Sequence, residues 1–353
     1  VVSLWRQSWF GFIFWPLSFL YGLAMSLRRF FYSRSLLPSQ SVPVPVISVG
    51  NLSVGGTGKT PMVIRLAEDL NRHGLRPAVL TRGYGRKNAT PLKVQGGDGD
   101  EIPTRMTGDE PQLITRRLPD IPVVVCRDRV RGARLALENN VSDSLILDDG
   151  FQHLRLRRQV DLVLIDASNP WGNRRLLPAG PLREPLSTVK QAQAVIITRA
   201  DQGKDIDAVV AKIRTYTSAP VFTSVHTPAA FVSLRNGSRG DPGSLRGDRA
   251  FCFAGIGNPD SFYATVRNCG IAVIATHSFP DHHWYTARDI ESIIEQAQQA
   301  RVSLVITTEK DAVRLPEIAE WEGDIYFLQI DLKIREEEWD AFLDRIIERG
   351  TAG

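Results

Sequence analysis

The 353-residue chain is 43% hydrophobic and 23% charged, an ordinary globular composition that excludes disorder, a collagen repeat and a small disulfide scaffold. At about 150 residues per domain the length predicts two domains, each large enough for its own core. The net charge of +4 sits in residues 1–45, which hold Arg6, Arg28, Arg29 and Arg34 and no acid; the rest is balanced, and a basic nucleic-acid-binding body is excluded.

The first element is an uncharged run, Trp9–Leu27, with 14 apolar residues in 19, seven of them Trp, Phe or Tyr. As a helix it would reach about 28 Å, close to the ~30 Å of a bilayer core. Pro16, Gly11 and Gly22 interrupt it, and its aromatics favour the headgroup boundary. Arg28, Arg29 and Arg34 follow, suited to anionic lipid on the cytoplasmic side. The run predicts a membrane-associated helix within residues 1–40, interfacial in preference to spanning. A helix packed on the protein core is the competing reading. No small-residue cleavage site marks a signal peptide.

Beyond Pro43 and Pro45, strand-like and helix-like stretches alternate. Val46–Val49 reads as a buried strand and Thr60–His73 as an amphipathic helix stopped by Gly74. Further strands are expected at Ala78–Thr81, Val123–Cys126, Leu145–Leu147, Leu162–Ile165 and Val195–Thr198, with helices at Arg129–Asn139 and Ile206–Tyr216. This rhythm predicts a parallel sheet covered on both faces. After a polar, Gly-rich stretch, Asn236–Asp248, a second α/β series runs from Phe251 to Thr307, and a last helix is expected at Glu337–Arg349. A boundary near residue 228 gives domains 41–228 and 229–353. The three cysteines, Cys126, Cys252 and Cys269, are scattered without a CxxC, which fits a reducing compartment.

Residues 50–61 carry the strongest signal, Gly-Asn-Leu-Ser-Val-Gly-Gly-Thr-Gly-Lys-Thr-Pro, between an apolar strand and an amphipathic helix. Gly55, Gly56, Thr57 and Gly58 would turn backbone N–H groups around phosphate oxygens, and the helix N-terminus adds partial positive charge. Lys59 would reach the β- and γ-phosphates, and the Thr60 hydroxyl would ligate Mg²⁺. Ser53 stands where the strict GxxxxGK[ST] pattern has its first glycine, so the loop is a variant of that pattern. The signal indicates a nucleoside triphosphate and says nothing of the second substrate.

Asp148 and Asp149 end an apolar strand, where ligands of parallel sheets gather and where a P-loop protein needs an acid for magnesium. His153 either lines the same site or is a satisfied polar residue. Asp109, in Thr-Gly-Asp-Glu-Pro, fits a helix N-cap when taken alone. Arg82 and Arg86 lie on a Gly-rich loop suited to a phosphate or simply to solvent. Arg183 and Glu184 occupy a turn held by Pro181 and Pro185. Asp281-His282 suits proton handling.

The ordered set comprising the loop at 50–61, Thr81-Arg-Gly-Tyr, Gly108-Asp-Glu-Pro, Asp148-Asp-Gly-Phe-Gln-His, Leu177-Pro-Ala-Gly-Pro-Leu-Arg-Glu, Ala254-Gly-Ile-Gly-Asn-Pro, Asp281-His and Thr308-Glu-Lys-Asp resembles the tetraacyldisaccharide 4′-kinase (lipid A 4′-kinase) family from the N-terminal run to about residue 315. The resemblance implies an α/β fold: a P-loop NTPase-like parallel-sheet domain, a second, smaller α/β domain and an N-terminal membrane-associated helix. It further implies a bacterial inner-membrane enzyme, acting at the cytoplasmic face, that uses ATP and Mg²⁺ to phosphorylate the 4′-hydroxyl of an acylated disaccharide lipid and yields lipid IVA. Carried over, Lys59 and Thr60 match phosphate and magnesium residues, and Asp148 and Asp149 an acidic pair near the metal. Asp109 matches the proton acceptor, His282 its partner, and Arg183 and Glu184 a turn at the substrate site. Two other classes fit the bare motifs. One is a membrane-attached P-loop ATPase acting on a protein partner; the other is a soluble small-molecule kinase.

Overall fold

The computed structural model describes residues 13–84, 86, 90–95, 102–316 and 324–351. Trp9 and Phe12 of the aromatic run lie outside the described residues.

Helix α1 (Trp15–Ser33) precedes the sheet. The first series comprises β1 (Val46–Asn51), α2 (Lys59–Arg72), β2 (Pro77–Thr81), β3 (Leu92–Val94), α3 (Asp109–Arg117), β4 (Val123–Val125), α4 (Arg129–Leu137), β5 (Ser144–Asp148), β6 (Val160–Asp166), β7 (Ala194–Thr198) and α5 (Ile206–Arg214). The second comprises β8 (Val221–Ser233), β9 (Arg239–Gly240), β10 (Arg249–Ala254), α6 (Pro259–Asn268), β11 (Ala272–Ser278), α7 (Ala287–Gln299), β12 (Leu304–Thr308), α8 (Glu309–Ala312), β13 (Asp324–Ile334) and α9 (Glu338–Thr351).

The strands form a continuous sheet in the order β11-β10-β12-β13-β8-β7-β6-β1-β5-β2-β4-β3, with β9 against β8. The run β8-β7-β6-β1-β5-β2-β4 is parallel. Every residue of β1, β2, β5 and β7 is buried, as a sheet covered on both faces requires. This central position puts the carboxyl ends of β1 and β5 side by side, with Val49 opposite Asp148.

The expected boundary at residue 228 falls inside β8. Val221–Thr223 pair parallel with β7, whereas Ser224–Ser233 pair antiparallel with β13, so one strand serves both halves. Pro228 faces Ile330 at a register shift, where a residue without an N–H is tolerated. The last helix, which by sequence fits either domain, packs on the first one. Trp339, Phe342, Leu343 and Ile346 share a core with Met62, Leu66 and Leu70 of α2. The Trp339 indole donates to buried Asp69 at 2.7 Å. The chain thus returns over β13 to close the face that α2 leaves open.

Candidate active site

The glycine-rich loop joins β1 to α2. Gly58 has φ +84 and is the N-cap of α2, and Gly55 has φ +119, conformations that suit glycine. A Cβ at Gly55 or Gly56 would meet nothing within 4 Å, so this arc borders open space, as a cradle for phosphate requires. The arc is held from below. Asn51 donates to the Thr57 hydroxyl at 2.8 Å, Thr198 donates to the Thr57 carbonyl at 2.9 Å, and Arg199 donates to the Gly56 carbonyl at 2.9 Å. From the side, Val54 N–H donates to Pro181 and Arg183 N–H to Leu52, which zips the turn at 181–183 onto the loop.

Lys59 and Thr60 open α2. The Lys59 ammonium lies 3.7 Å from Asp149, and Arg183 reaches both Asp149 oxygens at 2.9 Å. Burial raises the Asp149 pKa, but Lys59 and Arg183 outweigh it and hold the carboxyl below its ordinary range. Asp148 is the contrast. It is 3% exposed and accepts from the Thr81 hydroxyl at 2.9 Å. Burial, then the Glu110 and Asp149 charges, push it up to about 7. Two carboxylates with opposite shifts, together with the Thr60 hydroxyl at the start of α2, offer oxygen donors of the kind a hard cation takes. Arg129, which sequence reading did not single out, is buried below them and donates to the Asp148 carbonyl at 3.1 Å and the Cys126 carbonyl at 2.7 Å.

Asp109 and His282 come together from the first and second series of elements. Asp109 is the first residue of α3, with Gly108 as the cap, so the isolated N-cap reading gives way to a partnered carboxylate. The His282 Nδ1 lies 2.9 Å from the Asp109 Oδ2, across 173 residues of sequence. Burial raises Asp109, but the His282 hydrogen bond and the Lys310 and Arg314 charges bring it down to about 2. Gly108, just before Asp109, lies against Gly83 and Tyr84, which follow the Thr81 that bonds Asp148, so both pairs stand at the same end of the strands. His282 itself has φ +62 and its N–H donates to the Gly255 carbonyl. Gly255 N–H in turn donates to Asp311, a buried carboxylate that also accepts from Thr308, Tyr285 and Arg314. The Thr308-Glu-Lys-Asp motif is therefore the frame of the His282 loop. Tyr84 stands exposed at the edge, its ring 6.1 Å from the imidazole. Arg82 is exposed, and Gly85 of the same loop is outside the described residues.

Arg183 and Glu184 point opposite ways. Arg183 faces Asp149, as expected for a site residue. Glu184 is fully buried and accepts from Arg29 Nε of α1 at 2.7 Å, so its carboxylate is directed at the helix rather than at a substrate. Arg29, grouped by sequence with the headgroup arginines, is for the same reason turned inward. Its guanidinium also bonds Gln191 and the Phe151 carbonyl and lies 4.4 Å from the Phe151 ring. His153 is mostly buried between Arg129 and Arg158, and burial with those charges lowers it to about 4, so it stays neutral. His283 stacks on Phe279 and pairs with Asp289 at 3.2 Å, within the second half's own packing.

Comparison with known proteins follows the same lines. The family described as tetraacyldisaccharide-1-P 4′-kinase (LpxK) matches residues 10–348. A tetraacyldisaccharide 4′-kinase of Syntrophus aciditrophicus is 39% identical over 339 residues, covering 93% of this chain and 91% of its own. That of Desulfatibacillum aliphaticivorans is 39% identical over 350 residues, covering 94% and 92%. The "apo" form of LpxK from Aquifex aeolicus, in complex with ATP, superposes with a TM-score of 0.77 at 32% identity, covering 96% of this chain and 99% of that one. With the nucleotide loop, the acidic pair and the Asp109–His282 contact in place on this fold, the chain belongs to the tetraacyldisaccharide-1-P 4′-kinase family.

Proposed function

We propose that this protein transfers the γ-phosphoryl group of ATP to the 4′-hydroxyl of a tetraacylated disaccharide 1-phosphate, giving lipid IVA, at the cytoplasmic face of a bacterial inner membrane. The observation that carries the reading is the Asp109–His282 pair together with the Lys59–Asp149–Arg183 cluster and the open space at Gly55 and Gly56. Phosphoryl transfer needs positioning and charge neutralisation more than covalent help. The amides of Gly55–Gly58 and the Lys59 ammonium bind the triphosphate. Asp109 is ionised at neutral pH and accepts the hydroxyl proton as the new O–P bond forms and the bond to ADP breaks. His282 holds that carboxylate in line. Thr60, Asp148 and Asp149 are the residues that would hold Mg²⁺, which supplies charge neutralisation on the phosphates.

Helix α1 supports the membrane placement. Its protein-facing stripe is small or polar: Ser18 donates to the Leu176 carbonyl, a Cβ at Gly22 would lie 2.5 Å from Leu176, and Arg29 is buried. Its outer face exposes Trp15, Leu17, Phe19, Leu20, Leu23, Leu27, Phe30 and Phe31. An apolar face turned outward on this scale fits an acyl-chain boundary. Among the described residues no helix is long and apolar enough to cross a membrane, so the reading is of a helix lying in the interface.

Labelled ATP offered with acylated disaccharide in mixed micelles, followed by thin-layer separation, tests this. The label is expected on the lipid, with Asp109→Ala and His282→Ala strongly impaired. ATP hydrolysis that leaves the lipid unlabelled and ignores Asp109 would favour the ATPase acting on a protein partner.

A further inference from the structure

The side of His282 turned away from Asp109 is occupied. Lys310 of α8 places its ammonium 3.3 Å from His282 Nε2. The same ammonium lies 3.4 Å from the Glu110 carboxylate on α3. Lys310 therefore bridges the same gap between the two halves of the sheet that the Asp109–His282 pair bridges. It is held there by its frame. Asp311, next in sequence, is fully buried and bonded to Thr308, Tyr285, Arg314 and the Gly255 amide. Glu309, just before it, pairs with Arg117 of α3 at 3.1 Å.

This geometry restricts where protons can be. An ammonium has three donors and no lone pair, so a nitrogen that bonds it must be an acceptor. Nε2 of His282 is then unprotonated, and the ring proton sits on Nδ1, where it is donated to Asp109 Oδ2. The remaining charged neighbours leave this arrangement in place. Asp281 lies 3.9 Å from Nε2 and Arg314 3.8 Å from the Asp109 Oδ2, both beyond hydrogen-bond reach. Tyr84 approaches only by its ring.

We infer that Lys310, held by Glu110, is a positioning residue that locks His282 in its Nδ1–H tautomer and so keeps Asp109 an ionised, correctly aimed proton acceptor. The inference deepens the kinase reading and rests on it for the role of Asp109. The tautomer lock itself is independent of which acceptor is phosphorylated. A consequence is that the proton taken from the hydroxyl stays on Asp109 through the transfer, because both ring nitrogens are already engaged.

The test uses the detergent-solubilised full chain labelled with ¹⁵N-histidine. Six histidines give a tractable two-bond ¹H–¹⁵N spectrum, and His282→Asn identifies the signals of interest. In the wild type near neutral pH, Nδ1 is expected to be protonated and Nε2 bare. In Lys310→Met, a proton is expected on Nε2 for a substantial fraction, with kcat lowered about tenfold and the KM for ATP unchanged. Lys310→Arg, which restores donors without an acceptor, is expected to return the Nδ1–H tautomer and most of kcat. A wild-type His282 carrying its proton on Nε2 overturns the inference even if the variants fail to fold. So does a Lys310→Met spectrum in which the tautomer is unaltered. An intact tautomer pattern with no lipid labelled would instead count against the kinase reading alone.

Discussion

Arg29 of α1 and Glu184 of the turn at 181–185 form a buried ion pair, 2.7 Å from Nε to Oε2, that ties the outer helix to the active-site loop. Glu184 follows Arg183, whose guanidinium holds Asp149 and whose carbonyl accepts from Tyr21 of the same helix at 2.9 Å. Both partners are nearly inaccessible. Removing one leaves a buried unpaired charge, which costs about 3–5 kcal/mol, more than the pair gains over an apolar replacement. Arg29→Met is therefore expected to lower the melting temperature by about 5 °C. Double replacement, Arg29→Met with Glu184→Leu, is expected to recover much of that loss. If the double variant melts no higher than the single, the charge argument fails.

Asp149 sits at φ +50, in the left-handed region that a non-glycine residue adopts at a cost of about 1 kcal/mol and that Asn tolerates best. Asp149→Asn keeps the conformation and loses the charge, whereas Asp149→Ala loses both. The Asn variant is expected to melt within about 2 °C of wild type and the Ala variant lower. Both are expected to lose about 100-fold or more in kcat, because each removes half of the acidic pair. Equal melting temperatures for the two variants would show that the backbone conformation carries no cost here.

The parts of this site that were legible in the sequence are the local ones. Val46–Val49 reads as a short buried strand followed by glycines and Lys-Thr, and each neighbour supports the next. Asp148-Asp149 was legible because strand and turn are contiguous. Asp109 was not. Its partner is 173 positions away, so the residues alone offered only a cap, and the pairing came from the family resemblance. Arg29 and Arg28 are adjacent and chemically alike, yet one is buried and the other reaches the Gln152 carbonyl at the helix edge. The spacing of Ser18, Gly22 and Arg29, all on one helical face, is the signal that separates them. The long antiparallel pair β8–β13 was missed because its half-buried alternation is weak and Pro228 reads as a break. Without that pair the shared strand at the domain boundary could not be seen, nor the return of α9 to the first core.

Asp109 also links the site to stability. Its folded-state pKa of about 2 lies below the ordinary unfolded value of about 3.9. A depressed carboxylate contributes stability that is present above the unfolded pKa and is lost as pH falls through the folded one. At neutral pH this amounts to about 2 kcal/mol, and roughly half is gone by pH 3. Asp109→Asn, which cannot ionise, is expected to be less stable than wild type at pH 7, with the gap narrowing between pH 4 and pH 3. Urea unfolding of both proteins across that range measures it. A gap that widens on acidification would mean that burial, not the His282 and Lys310 contacts, governs this carboxyl.

The outer face of α1 makes the membrane reading testable without disturbing the fold. Phe19 and Leu20 are 62% and 59% exposed, and no hydrogen bond ties either side chain to the protein. Burying such a side chain in an apolar phase stabilises by about 1.5–3 kcal/mol, so each contributes roughly tenfold or more to partition. Replacing either with Glu is expected to leave the melting temperature in detergent within about 2 °C of wild type. Cosedimentation with anionic vesicles is expected to fall at least tenfold, and turnover of the acylated substrate in vesicles to fall with it. Turnover of the same substrate dispersed in micelles is expected to change little, because the site lies on the other side of the Arg29–Glu184 contact. A variant that binds vesicles as tightly as wild type would place the membrane-binding surface elsewhere on the protein.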